Sequence, residues 1–106
     1  MAGHQVFLAA VTVSELRYGA LVAEWGQTRR DRLEESIQVT TVVPVTDRLL
    51  TQVAQLRHAC RGVGHPLHAP AHANDLWVAA SAIHIAAPLL TGDDIFDNTP
   101  GLTLHT

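Results

Sequence analysis

The stretch Gln5-Val6-Phe7-Leu8-Ala9-Ala10-Val11-Thr12-Val13, followed at once by Ser14-Glu15-Leu16, decides the fold class. Nine nearly unbroken apolar and β-branched residues predict a strand covered on both faces, and strands of that kind belong to parallel sheets. The pattern changes at Ser14. From there the sequence predicts a helix with Ser14 as its cap, Glu15 in its first turn, a stripe of Leu16, Ala20 and Ala23, and Gly26 as its end.

Working outward, Thr28 and Asp31 predict a short capped helix to about Ile37 with Arg29, Arg30 and Arg32 on its outer side. A second strand follows over Val39-Thr40-Thr41-Val42-Val43 and closes at Pro44. Thr46 opens the clearest helix, with Leu49, Leu50, Val53, Leu56 and Cys60 at helical spacing and Gly62 as its stop. Glycine and proline make residues 62–70 a loop. Asn74 or Asp75 caps a helix to about Ala86, Pro88 to Thr91 forms a short strand, and Leu102 to Leu104 a last one. The order β-α-α-β-α-α-β-β predicts an α/β sandwich with a mainly parallel sheet.

At 106 residues the chain fits one domain with a real core. A hydrophobic fraction of 47% against 16% charged residues excludes a disordered chain. No apolar run is long enough to cross a bilayer, and the start lacks the basic segment of a secretory signal, so the cytoplasm is the expected compartment. The lone Cys60 excludes a disulfide framework and is read as a packing residue. The formal net charge of −3 argues against a general nucleic-acid coat. A phosphodiester enzyme is not excluded, because carboxylates with a bound cation invert their local charge.

Three acids lie where apolar runs meet turns: Glu15, Asp75 in Asn74-Asp75-Leu76-Trp77, and Asp93 in Leu90-Thr91-Gly92-Asp93. In parallel sheets ligands gather beyond the carboxyl ends of the strands, and all three acids fit one such rim. Carboxylates brought together there suit a hard cation such as Mg²⁺ or Mn²⁺. Thr12 and Thr91 stand close by as hydrogen-bonding partners for a metal water or a phosphate. The plainer alternatives are an N-cap, a dipole-complementing Glu and a turn Asp.

The segments Thr12 to Ala20, Asn74 to Ala82 and Pro88 to Phe96, with Gln55-Leu56-Arg57 and the tail Pro100-Gly101-Leu102, resemble PIN-domain toxins of the VapC family over nearly the whole chain. The resemblance implies a PIN-like α/β/α sandwich and a metal-dependent endoribonuclease. Such an enzyme is the toxin half of a toxin–antitoxin pair, cleaves transfer or ribosomal RNA, usually dimerises, and is silenced by an antitoxin. It makes Glu15, Asp75 and Asp93 the second, third and fourth acidic ligands of the family, with Asp97 an accessory acid and Asp94 facing solvent. The family's first strand and its leading aspartate have no counterpart before Glu15. The expectation is therefore a domain truncated at its N-terminus that cleaves RNA with Mg²⁺ or Mn²⁺ and loses that activity in Asp75→Asn and Glu15→Gln. The competing reading is a remnant that binds an antitoxin or dimerises without cutting RNA.

Two further patterns compete for function. His65, His68 and His72 have zinc-like spacing, but Pro66 and Pro70 break any regular helix, which favours a solvated loop. The arginines Arg29, Arg30, Arg32, Arg57 and Arg61 are either solvated or in contact with RNA phosphates.

Overall fold

The computed structural model describes residues 7–105. They divide into two compact units, the first ending at Pro44 and the second starting at Val45.

The first unit is built on a short parallel ladder of β1 (Phe7–Ala9) and β2 (Thr41–Val43), which pairs Phe7 with Thr41, Leu8 with Val42 and Ala9 with Val43. Parallel pairing is as expected; the strand lengths are not. Gln5 and Val6 of the predicted first strand lie outside the described residues, and Ala10 to Val13 are already helical in α1 (Ala10–Val22). The partner offers three residues, so the ladder ends at Ala9. Beyond it the backbone groups find partners within a helix instead. At the second strand, the hydroxyl of Thr40 donates to the carbonyl of Ile37 at 2.7 Å and holds residues 39–40 in the exit of the preceding helix, leaving Val39 85% exposed.

Helix α1 has no side-chain cap, its N-cap being Ala9. It buries Val13 and Ala20, seven residues apart on one face; of the predicted stripe only Ala20 is buried, Leu16 and Ala23 being exposed along with Tyr18, Leu21 and Val22. The next helix, α2 (Gln27–Gln38), starts from Gly26 and not Thr28. Of its arginines, Arg29 lies over the Trp25 ring at 4.2 Å and Arg32 is exposed. Arg30 is half-buried, contrary to expectation, and donates to Gln27. Arg17 on α1 and Glu34 on α2 form a two-bond fork at 2.8 and 3.1 Å. Both are well exposed, so the pair contributes little stability.

In the second unit α3 (Asp47–Gly62) starts as predicted, with Thr46 accepting from the Leu49 amide at 3.2 Å. Leu49, Leu56 and Cys60 form its buried stripe. Two 3-10 turns, Pro66–His68 and Pro70–His72, lead into α4 (Ala73–His84). Leu56 and Cys60 pack with Leu76, Ala79 and Ala80 of α4, and Leu67 and Phe96 close this core. Cys60 is fully buried, and burial pushes its thiol up, which bears out the packing reading. The two predicted C-terminal strands shrink to one parallel bridge, Leu89 with Leu104. Leu89 donates to Thr103 and His105 donates to Leu89, both at 2.8 Å.

Three helices end by one device. After α1, α3 and α4 the residues Glu24, Gly64 and Ala86 take positive φ. The next amide then reaches back five residues: Trp25 to Ala20, His65 to Cys60 and Ala87 to Ala82, at 2.8–3.0 Å. Only one of the three is glycine, and it sits two residues past the predicted stop at Gly62; Gly26, the predicted stop of α1, does not end it. A left-handed conformation costs an ordinary residue roughly 1–2 kcal/mol, part of which glycine's larger unfolded entropy offsets. Glu24→Gly and Ala86→Gly should therefore each raise stability by about 0.5–1 kcal/mol, and Gly64→Ala should lower it by about 1 kcal/mol. Urea midpoints at constant slope measure all three.

Candidate functional site

Asp75 is the third residue of α4. Neither Asn74 nor Asp75 caps the helix; the N-cap is His72, whose side chain makes no cap bond. Asp75 instead complements the amino-end partial charge of the helix from its first turn. The Nδ1 of His72 lies 3.7 Å from Asp75 Oδ2, and both side chains are about a third exposed.

Asp93 caps the 3-10 turn Asp94–Phe96, its Oδ1 accepting from the Ile95 amide at 3.1 Å. Its own amide donates to Thr91 Oγ1 at 3.0 Å, so that hydroxyl serves the loop. The other carboxylate oxygen of Asp93 takes no hydrogen bond among the described residues. Phe96, buried in the core, anchors the turn, which packs against α4. Asp94 and Asp97 are exposed. The chain therefore brings the turn carrying Asp93 onto the helix carrying Asp75.

Glu15 belongs to the first unit, exposed on α1 and beyond its first turn, because the cap of that helix is Ala9 and not Ser14. Thr12, expected at a strand end, is helical and half-buried. Within either unit, among the described residues, no three His, Cys, Asp or Glu side chains are grouped to hold a metal ion. His65, His68 and His72 of the histidine segment are not gathered into such a group.

Nor is that segment a solvated loop at His65 and Leu67, which are both buried. His65 Nδ1 accepts from the Leu67 amide at 3.1 Å, which assigns the ring proton to Nε2. That proton points to the carbonyl of Asp97 at 2.7 Å, with Thr99 Oγ1 at 3.2 Å. The buried Thr99 hydroxyl donates in turn to the Phe96 carbonyl at 2.8 Å. The loop bearing Asp93 and Asp97 is thereby tied to the segment leading into α4. One signal in the sequence could have found this: Pro66 at the first position of a helical turn marks the residue before it as the cap.

Around α3 and the start of α4 lies an open groove of about 980 Å³. Arg57, His58, Arg61, His68, Leu50 and Trp77 are among its lining. The Nε of Arg57 donates to the His68 carbonyl at 3.1 Å.

Comparison with known proteins follows the same outline. Residues 1–102 match the PIN domain family. Ribonuclease VapC5 of Mycobacterium tuberculosis is 36% identical over 94 residues, which make up 87% of this chain and 67% of that protein. The crystal structure of VapBC2 from Rickettsia felis, bound to a DNA fragment from their promoter, superposes with a TM-score of 0.78. It does so at 21% identity, over 95% of this chain and 74% of that one, and that likeness speaks for the fold.

Replacing His65 by Leu strands the Leu67 amide and the Asp97 carbonyl, and should cost about 3 kcal/mol. Thr99→Val, which removes the longer partner and the bond to Phe96, should cost about 1 kcal/mol. Chemical denaturation gives the energies. Hydrogen exchange of residues 93–99 in the His65 variant should rise ahead of global unfolding.

Proposed function

This chain belongs to the PIN domain family, and on that premise we propose that it is a metal-dependent endoribonuclease, the toxin of a toxin–antitoxin pair. The observation that carries the reading is the extent of the family match, which runs over residues 1–102 and takes in every acid-bearing motif.

The residues proposed to act are Asp75 and Asp93, with Asp97 as an accessory acid, and Glu15 on the strength of its sequence motif alone. The donor set fits a hard cation. Asp75 and Asp93 offer partly or fully exposed carboxylate oxygens on two packed elements, with no thiolate among them. Mg²⁺ is often held by one or two carboxylates, with water and substrate phosphate completing its shell. When bound, such a cation supplies charge at the phosphodiester and a more acidic water. Asp75 is positioned by the first turn of α4, and Asp93 by the Ile95 amide, which holds one oxygen and leaves the other for a ligand. The His65 clamp fixes the loop on which Asp93 and Asp97 ride.

The likeness to a VapBC assembly supports an antitoxin as partner. A homodimer and a transfer or ribosomal RNA substrate come from the family resemblance; no helix among the described residues is long and apolar enough to cross a membrane. A second reading, a module that binds its antitoxin without cutting RNA, draws on the absence of a three-ligand group within either unit among the described residues.

Incubating the purified chain with labelled structured RNA separates the two. Cleavage should require Mg²⁺ or Mn²⁺, stop with chelator, and fall by roughly 100-fold or more in Asp75→Asn and Glu15→Gln, while Asp94→Asn cuts normally. Cleavage that persists in chelator or in Asp75→Asn overturns the metal mechanism. No cleavage by the intact chain with either metal favours the binding module.

A further inference from the structure

We propose that the groove between α3 and the start of α4 binds an unpaired segment of RNA, with phosphates on Arg57 and Arg61 and a base against Trp77. This rests on the ribonuclease reading and extends it to a basic surface that no acid lines.

Charge complementarity carries it. The chain has a formal net charge of −3, so affinity for a polyanion has to come from a local patch. The groove is such a patch: two of the seven arginines and two histidines line it, and no acid does. Arg57 and Arg61 are one helical turn apart on the same face of α3, about 6 Å along its axis. The bond from Arg57 Nε to the His68 carbonyl orients the guanidinium, and its two Nη groups make no hydrogen bond among the described residues. An oriented, unpaired fork suits a phosphate. Arg61, exposed in the last turn of α3, makes no salt bridge among the described residues.

The remaining lining explains why the polyanion is a nucleic acid. Trp77 and Leu50 supply apolar surface beside the charges, and a base that stacks on an aromatic ring adds affinity without reading sequence. Unpaired RNA presents phosphate and exposed base together, whereas a duplex keeps its bases stacked and paired. The groove also includes Ala73 and Leu76, which flank Asp75 in the first turns of α4. A strand held there runs beside the helix start that carries the proposed acid.

The test is fluorescence anisotropy of the full chain with a labelled unstructured RNA, in chelator so that nothing is cut, over a salt series. Each lost phosphate contact should flatten the slope of log affinity against log salt by about 0.7, and the double variant Arg57→Gln/Arg61→Gln should bind roughly tenfold more weakly at low salt. Arg61→Glu, which leaves the bond to His68 intact, should show the same loss with an unchanged melting temperature. Trp77→Leu should weaken binding with no change in slope. Equal affinity and slope in both arginine variants overturn the groove. So does tighter binding of polyglutamate than of RNA, or a loss of self-association in the variants with RNA affinity intact. If the wild-type chain cuts RNA while the variants bind as it does, only the groove falls; if it neither binds nor cuts RNA, the ribonuclease reading falls with it.

Discussion

Because Nδ1 of His65 accepts a hydrogen bond from the Leu67 amide, the ring N–H is at Nε2, and it reaches the carbonyl of Asp97, 32 residues further on. A neutral imidazole bonded at both nitrogens is worth most where water is excluded, and this ring is buried. It joins two segments that no strand pairing connects. On one side it caps the turn that sinks Leu67 into the core; on the other it holds the turn that sinks Phe96 into the same core. The two apolar anchors and the polar clasp support one another. Either anchor alone would leave a loop with unsatisfied backbone groups.

The acids outside that core face a different balance. None of them is buried, and Asp75 and Asp93 each answer a local structural need, as a first-turn carboxylate and as a cap. A residue that stabilises its own element while leaving an oxygen free can serve structure and chemistry together. The bland and the functional readings of Asp93 are thus one geometry, with Oδ1 in the cap and the other oxygen available.

Helices were the most legible part of this chain. Thr46 and the stripe of Leu49, Leu56 and Cys60 locate α3 because cap and periodicity are both local. The parallel sense of pairing was also legible from the apolar strand. Strand length was not, since it depends on how many residues the partner presents: β2 offers three, and so Ala10 to Val13 turn helical. Helix ends went astray where a glutamate or an alanine adopts the conformation that glycine is expected to fill. At the site, the acid motifs could be read as words. The clasp that orders their loop could not, because a histidine beside a proline looks like solvent-exposed punctuation until its partner across the unit is seen. The likeness to PIN-domain toxins, by contrast, was carried by motif order, and it stands.

Helix α4 meets α3 through alanines. Ala79 and Ala80 are fully buried in one core with Leu56 and Cys60, and side chains this small allow two helices a close approach. The same two helices form the walls of the groove that holds Arg57 and Arg61. Its width is therefore inherited from buried positions that carry no charge and touch no ligand. A methyl group added at Ala79 or Ala80 would act like a wedge driven between floorboards, spreading the opening at the surface while every basic side chain kept its identity. Divergence among relatives at these two alanines would then track changes in what the groove admits.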